Sequence, residues 1–162
     1  MAPLNTYPFD AKHPELYTDT VRGYPGTHVD LRAMLDWLVE YCRAQQLIAP
    51  FVTCFGRTRA EMEEIYLPLY LQEYGSEALA RARARSRFSW HCIPKLTGGR
   101  PGLCRAMDLR YSVWTDGARA RILAAAREKW PHAELLDHSV PGGGRHLHMA
   151  LPDPAGKPAD WL

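Results

Sequence analysis

The chain has 162 residues, with 20 Lys and Arg against 18 Asp and Glu, so its formal net charge is +2 when its seven His are neutral. Apolar residues make up 46% and charged residues 23% of the chain, ordinary values that exclude a disordered, collagenous or coiled-coil protein. The length predicts one domain with its own core, and the near-neutral charge argues against a dedicated nucleic-acid-binding protein.

The first residues carry no targeting or membrane signal. Residues 1–10 have neither a basic nor an apolar region of a signal peptide, so we expect cytoplasmic synthesis without one. The longest apolar run, residues 47–55, contains Pro50 and is far shorter than the ~18 residues of a membrane helix, so no membrane span is expected. Residues 1–29 are rich in Pro, Tyr and Thr and predict an irregular N-terminal arm.

The first half of the chain predicts mainly helices. Apolar side chains at helical spacing predict a helix over residues 30–46, capped by Asp30, and residues 51–55 predict a short strand. Residues 59–74 favour a second helix, which Pro68 should break or kink. An Ala-rich helix follows, with alternate arginines spread around a solvated surface (Arg81, Arg83, Arg85, Arg87).

The second half predicts short strands. Residues 88–90 and 106–109 are interpreted as strands on either side of a loop, and Asp116 as the cap of a helix that ends at Trp130. Two last strands, residues 134–139 and 145–151, are joined by a glycine-rich turn, and a loose tail is expected over residues 152–162. The predicted fold is therefore α+β, a small, mostly antiparallel sheet flanked by helices, with residues 30–151 as a single catalytic domain.

Two histidines alternate along the last predicted strand. His146 and His148 should project from the same face, because successive side chains of a strand point to opposite faces. A second segment places His91 and Asp108 at the inner ends of two strands joined by a loop. Three ligands of the type His, Asp and His, with the fourth position left to water, are the plan of a catalytic zinc site, and metal-assisted hydrolysis is the reaction class that it implies.

Four motifs in order carry a resemblance to a known family. Thr53-Cys54-Phe55-Gly56-Arg57-Thr58, Ser-x-His ending at His91, Arg-Ala-x-Asp-Leu around Asp108 and the final His-x-His together resemble the zinc D-Ala-D-Ala carboxypeptidases and L-alanyl-D-glutamate endopeptidases. These enzymes of bacteria and phages cut peptidoglycan. The resemblance runs from about residue 51 to residue 151.

The resemblance implies roles for individual residues. His91, Asp108 and His148 would bind zinc, and His146 would face the reacting carbonyl. Arg57 would anchor a substrate carboxylate or stabilise the oxyanion, and a guanidinium after a glycine turn suits that bidentate contact. Ser89 would be an orienting hydroxyl beside the metal.

The chain departs from the family pattern at three positions. His91 and Asp108 are seventeen positions apart rather than seven, which an insertion over residues 93–103 explains, because lengthening a loop costs little. The usual acidic base three residues before the last histidine is replaced by Arg145, which leaves Asp137 and His146 as alternative bases. Met62 stands where a Gln often follows the upstream arginine.

The remaining cysteines and histidines are assigned lesser roles. The four cysteines are expected to be reduced and packed, although Cys92 and Cys104 bracket the loop and could pair outside the cell. His138 could donate a hydrogen bond to a metal ligand. The other three histidines are expected on the surface or in loops.

The expected function is zinc-dependent hydrolysis of a peptide bond in peptidoglycan stem peptides, in phage or prophage lysis, with action at the cell wall after release. The alternative is an inactive phage structural or wall-binding module that keeps the fold. Nucleic-acid binding through residues 81–87 is not expected, because that run lacks interleaved aromatic residues.

Overall fold

The computed structural model describes residues 27–140 and 144–162. Within these ranges the predicted α+β class is confirmed. The helices are α1 (Val29–Ala44), α2 (Arg59–Tyr74), α3 (Glu77–Ser86) and α4 (Asp116–Lys129), and the strands are β1 (Val52–Cys54), β2 (Ala106–Arg110), β3 (Glu134–Val140) and β4 (Gly144–Ala150). The strands form one antiparallel sheet in the order β1-β2-β4-β3.

The two faces of the sheet carry different residues. Met107, Leu109, Leu147 and Met149 alternate onto one face and join α1 and α4 in the main core, where Leu31, Leu38 and Ile122 are fully buried. The opposite face carries a row of paired residues that crosses the whole sheet: Cys54, Asp108, His148 and Leu136. Strand periodicity thus places polar side chains on the face that α1 and α4 do not cover.

Local capping explains where the helices begin. The cap of α1 is His28, whose Nδ1 accepts from the backbone of Asp30, so the predicted Asp30 cap is wrong by two residues. The cap of α4 is Thr115 rather than Asp116. Thr58 and Glu61 form a reciprocal capping box that starts α2 directly after Arg57.

Helix α2 is continuous through Pro68, so of the predicted break or kink, the break is wrong. A proline inside a helix removes one backbone hydrogen bond, but the helix on either side of it is held by packing. Met62, Tyr66 and Tyr70 are buried in a second cluster with Ala80 and Ala84 of α3.

The C-terminal residues are not loose. Trp161 is buried in the same cluster as α2 and α3, and it pairs with Pro94 in an isolated bridge. The Arg59 guanidinium lies 3.9 Å above its ring, and the backbone of Leu162 bonds to Arg59 and Ile93. The proline content of residues 152–162 predicted a loose tail. The Trp161 side chain and backbone hydrogen bonds instead hold its end against α2 and the loop after His91.

The predicted strand over residues 88–90 is also wrong, because the Cys92 amide donates to the Ser89 carbonyl at 2.8 Å and closes a turn there. Of the predicted N-terminal arm, residues 1–26 lie outside the described residues. No helix in the described part of the chain has the length and apolar character needed to cross a membrane.

Candidate metal centre

Three polar side chains predicted as metal ligands meet on the open face of the sheet. Asp108 of β2 and His148 of β4 are direct cross-strand partners. His91 comes from the turn after α3, which is held by backbone bonds from the Arg57 amide to the His91 carbonyl (2.7 Å) and from the Ile93 amide to the Arg57 carbonyl (3.1 Å). The three side chains are almost completely buried.

The ligand atoms of these residues form a small triangle. His91 Nε2 lies 2.9 Å from Asp108 Oδ1 and 3.1 Å from His148 Nδ1, and His148 Nδ1 lies 3.1 Å from Asp108 Oδ1. Ligands of a tetrahedral zinc ion with bonds of 2.0 to 2.2 Å are about 3.3 to 3.6 Å apart. The triangle is therefore within a few tenths of an ångström of the separation that such an ion requires.

The tautomer of His91 makes its Nε2 an acceptor that faces the Asp108 carboxylate. Its Nδ1 lies 2.6 Å from the carbonyl oxygen of Phe55, which can only accept, so Nδ1 carries the proton and Nε2 presents its lone pair. Burial lowers the pKa of His91 to about 4, so the ring is neutral near pH 7. His91 Nε2 and Asp108 Oδ1 are two acceptors 2.9 Å apart, so they need a positive group between them. In the metal-free protein the charged His148 ring supplies it, with Nδ1 3.1 Å from each acceptor, and a metal ion could take the place of that proton.

Asp108 is ionised and held at both oxygens. Burial alone would raise its pKa, but His91, His148 and Arg57 together lower that pKa well below the usual range. Arg57 Nη2 donates to Oδ2 at 2.5 Å, while Oδ1 faces the two histidines. Arg57 is itself buried, so in this structure it orients the carboxylate as well as lining the cavity.

The other predicted residues fall on both sides of the sheet. His146 Nε2 lies 3.4 Å from Asp108 Oδ1, and the Ser89 hydroxyl accepts from the His91 amide at 3.3 Å, so both belong to the cluster. Asp137 does not. It pairs across the sheet with Leu147, a core residue, and its carboxylate forms an ion pair with Arg145 (3.2 Å).

The prediction of Asp137 as a base is thus wrong. Successive side chains of a strand alternate between faces, and Asp137 lies on the face opposite to the histidines. The side chain of His138, which was predicted to hydrogen-bond to a metal ligand, lies outside the described residues.

Sequence reasoning missed Glu134. Its Oε1 lies 2.8 Å from His148 Nε2, on the side of the imidazole away from Asp108. Although burial opposes the charged form of His148, contacts with Asp108 and Glu134 raise its pKa to about 8. Glu134 lies two residues before Leu136, the cross-strand partner of His148, so strand alternation could have placed it on this face once the register was known.

Cys54 was missed as well. It pairs with Asp108 across β1 and β2, and its Sγ lies 3.9 Å from His91 Nδ1. Cys54, His91 and Asp108 form a buried group that could hold a metal ion. The four cysteines are free thiols, so Cys92 and Cys104 do not pair in this structure.

The cluster opens into a cavity of about 530 Å³, a size typical of small-molecule sites. Its walls include Tyr66 and Arg87 from the α2–α3 side and Phe88 and Trp90 from the turn that carries His91. Arg87 is stacked 4.2 Å from the Tyr66 ring and donates to the Tyr70 hydroxyl. The site thus combines a buried set of ligand atoms with an accessible, partly cationic space.

Comparisons with known protein families, curated proteins and solved structures find no match for this chain. Function is therefore inferred from the chemistry of the site and from the sequence motifs.

Proposed function

We propose that this protein is a zinc-dependent peptidase that hydrolyses a peptide bond in peptidoglycan stem peptides. The observation that carries the proposal is the triangle of His91 Nε2, Asp108 Oδ1 and His148 Nδ1, with sides of 2.9 to 3.1 Å, at the wall of a cavity. Three protein ligands beside an accessible space are typical of catalytic zinc, whereas structural zinc sites use four.

His148 is favoured over Cys54 as the third ligand. Cys54 Sγ approaches His91 at Nδ1, and that nitrogen is occupied by its hydrogen bond to the Phe55 carbonyl. His148 Nδ1 instead lies 3.1 Å from Nε2 of His91, the nitrogen of that ring that carries no proton. The tautomer of His91 therefore selects the His-Asp-His set.

Zinc at this position would lower the pKa of a coordinated water and polarise the substrate carbonyl. The surrounding residues then have separate tasks. Arg57 fixes the Asp108 carboxylate through Oδ2, and Glu134 forms an ion pair with His148 on the Nε2 side of its ring, which would keep Nδ1 directed at the site. His146 lines the cavity with Nε2 3.4 Å from Asp108 Oδ1, so it would be the group that exchanges a proton with the reacting atoms.

Cationic groups of the cavity support a carboxylate-bearing substrate. Arg57 and Arg87 line the same space as the ligand atoms, and planar guanidinium groups bind carboxylates in a bidentate manner. Stem peptides carry such carboxylates, which agrees with the family that the sequence motifs resemble. Action in phage or prophage lysis follows from that resemblance and is part of the proposal.

The test has two independent readouts. Purified protein should contain about one zinc per chain by elemental analysis, and His148→Ala should lose it while His132→Ala, which removes an exposed histidine, should not. Retention of zinc by His148→Ala would disprove the ligand set. Incubation with purified cell walls, followed by mass spectrometry, should release peptides with new amino termini.

Zinc binding together with wall binding, but without new termini, would instead support the inactive wall-binding module. The pairing of Arg145 with Asp137, where the family has an acidic residue near the site, is the observation in favour of that alternative.

A further inference from the structure

A second cavity, of about 480 Å³, lies between the loop that follows His91 and the C-terminal segment. The sequence predicted these two segments only as a loop and a tail. The loop that separates His91 from Asp108 forms one wall, with Pro94, Leu96, Gly102 and Leu103. The C-terminal segment forms the other, and its lining residues fall between 153 and 158. The volume lies in the range of small-molecule sites.

The loop wall has a defined backbone structure. Lys95 and Pro101 pair in an antiparallel bridge, and the Gly102 amide donates to the Pro94 carbonyl at 2.6 Å. A Cβ at position 102 would lie 3.0 Å from Pro94 Cβ and 3.1 Å from the Pro94 carbonyl oxygen, so a larger residue there would require Pro94 to shift by a few tenths of an ångström. The bridge between Pro94 and Trp161 then fixes the loop to the C-terminal segment.

The floor of this cavity is aromatic and is shared with the metal centre. Phe88 and Trp90 line both cavities, and their rings meet edge to face with centroids 4.9 Å apart. The two residues that follow Trp90 diverge, since His91 lines the metal cavity and Cys92 the second cavity. A ridge of chain therefore separates the two spaces. The second cavity shares the two aromatic rings with the metal cavity and adds the apolar side chains of Leu96 and Leu103.

One end of the cavity is polar. Arg105 lines this end of the cavity, and its backbone amide donates to the Trp90 carbonyl (3.0 Å). That guanidinium contacts the Leu151 carbonyl and His28 Nε2, each at 3.1 Å, and lies 3.6 Å from Asp153. Lys157 is the second cation of the lining. With His28 neutral, two cations and one carboxylate leave a formal charge of +1.

We propose that this cavity is a binding site for a small organic anion that carries a flat apolar ring. The ring lies against Phe88 and Trp90, and the anionic group lies toward Arg105 and Lys157. Arg105 and Lys157 do not line the metal cavity, so binding at this site can be tested without peptidase activity. One wall of the site is the loop that the family resemblance treats as an insertion.

The test uses 2-naphthoate as the probe and the full, zinc-loaded chain labelled with ¹⁵N. Titration should give saturable NMR shifts of the Trp90 indole and of the Leu103 and Ala155 amides. The neutral analogue 2-naphthamide should bind about 5-fold more weakly, because it lacks the charge. Ala155→Trp should abolish the shifts, because the new ring fills the cavity.

A matched pair of charge reversals tests the polar end. Lys157→Glu should weaken 2-naphthoate binding by about 5-fold. Arg100→Glu should leave it unchanged, because Arg100 is an exposed residue of the loop between His91 and Asp108 and does not line the cavity. The proposal fails if no saturable shift occurs at these positions, or if the shifts cluster at His146 and His148. Equal effects of the two reversals would refute the assignment of the anionic end.

Discussion

The affinity of the site for zinc should depend on pH through one proton, that of His148. Asp108 and Glu134 raise the pKa of His148 to about 8, so in the metal-free protein the ring is charged near pH 7. Zinc binds only the neutral imidazole and must displace that proton. His91 has its pKa lowered to about 4 and Asp108 well below its usual range, so neither adds a proton above pH 5.

These pKa values set the size of the effect. For a single group with a pKa of about 8, the fraction of protein ready to bind falls from one half at pH 8 to about one hundredth at pH 6. The apparent affinity should therefore fall about 50-fold over this interval, which corresponds to about 2.3 kcal/mol. Two ordinary histidines with pKa values near 6.5 would leave the affinity nearly constant from pH 8 to pH 7 and reduce it with twice the slope below pH 6.

Competition with a chromophoric chelator across pH 5.5 to 9 measures this profile. Glu134→Gln should move the onset of the decline to lower pH, because it removes one of the two carboxylates that favour the charged ring. Asp137→Asn is the matched control, an acid of the same strand on the opposite face, and should leave the profile unchanged. A flat profile between pH 8 and pH 7, or equal effects of the two variants, would refute the reasoning.

Three further predictions concern the residues around the site. Arg57→Met should weaken zinc binding roughly 10- to 100-fold in chelator competition, because Asp108 Oδ2 loses its partner, and an unchanged affinity would show that Arg57 does not orient the ligand. Arg87→Met should raise KM for a stem peptide roughly 10-fold with little change in kcat, whereas a fall in kcat alone would contradict a role in binding. Thr58→Ala should lower the free energy of unfolding by about 1 kcal/mol in urea, because it breaks the capping box with Glu61, and a change below a few tenths would count against that box.

The parts of the site that sequence predicts best are those governed by strand periodicity. The alternation of His146 and His148 requires only that residues 145–151 form a strand, and β4 confirms it by bringing both side chains to the cluster. His91 reached the same place by a different route than expected, from a turn rather than from the end of a strand. His91 still lies in the cluster because backbone hydrogen bonds hold this turn to Arg57.

The parts that sequence could not give depend on which residues face each other across the sheet. Asp137 and Glu134 lie three positions apart on one strand, and only the pairing of β3 with β4 shows that the first faces the core side and the second faces His148. Cys54 likewise becomes a neighbour of Asp108 only through the pairing of β1 with β2. Pro68 shows the same limit for helices, since tertiary packing overrides a local signal that is unfavourable in isolation.

The loop between His91 and Asp108 is held to the rest of the chain near both of its ends. The ends of the loop are joined where the Arg105 amide meets the Trp90 carbonyl, and the Ile93 amide is tied to Arg57. Only the exposed tip, residues 96–100, is free of these bonds to the rest of the chain, so it can change in length and chemistry while His91 and Asp108 keep their places. Grafting other tips there is a route to new ligand preferences in the second cavity without altering the candidate metal centre.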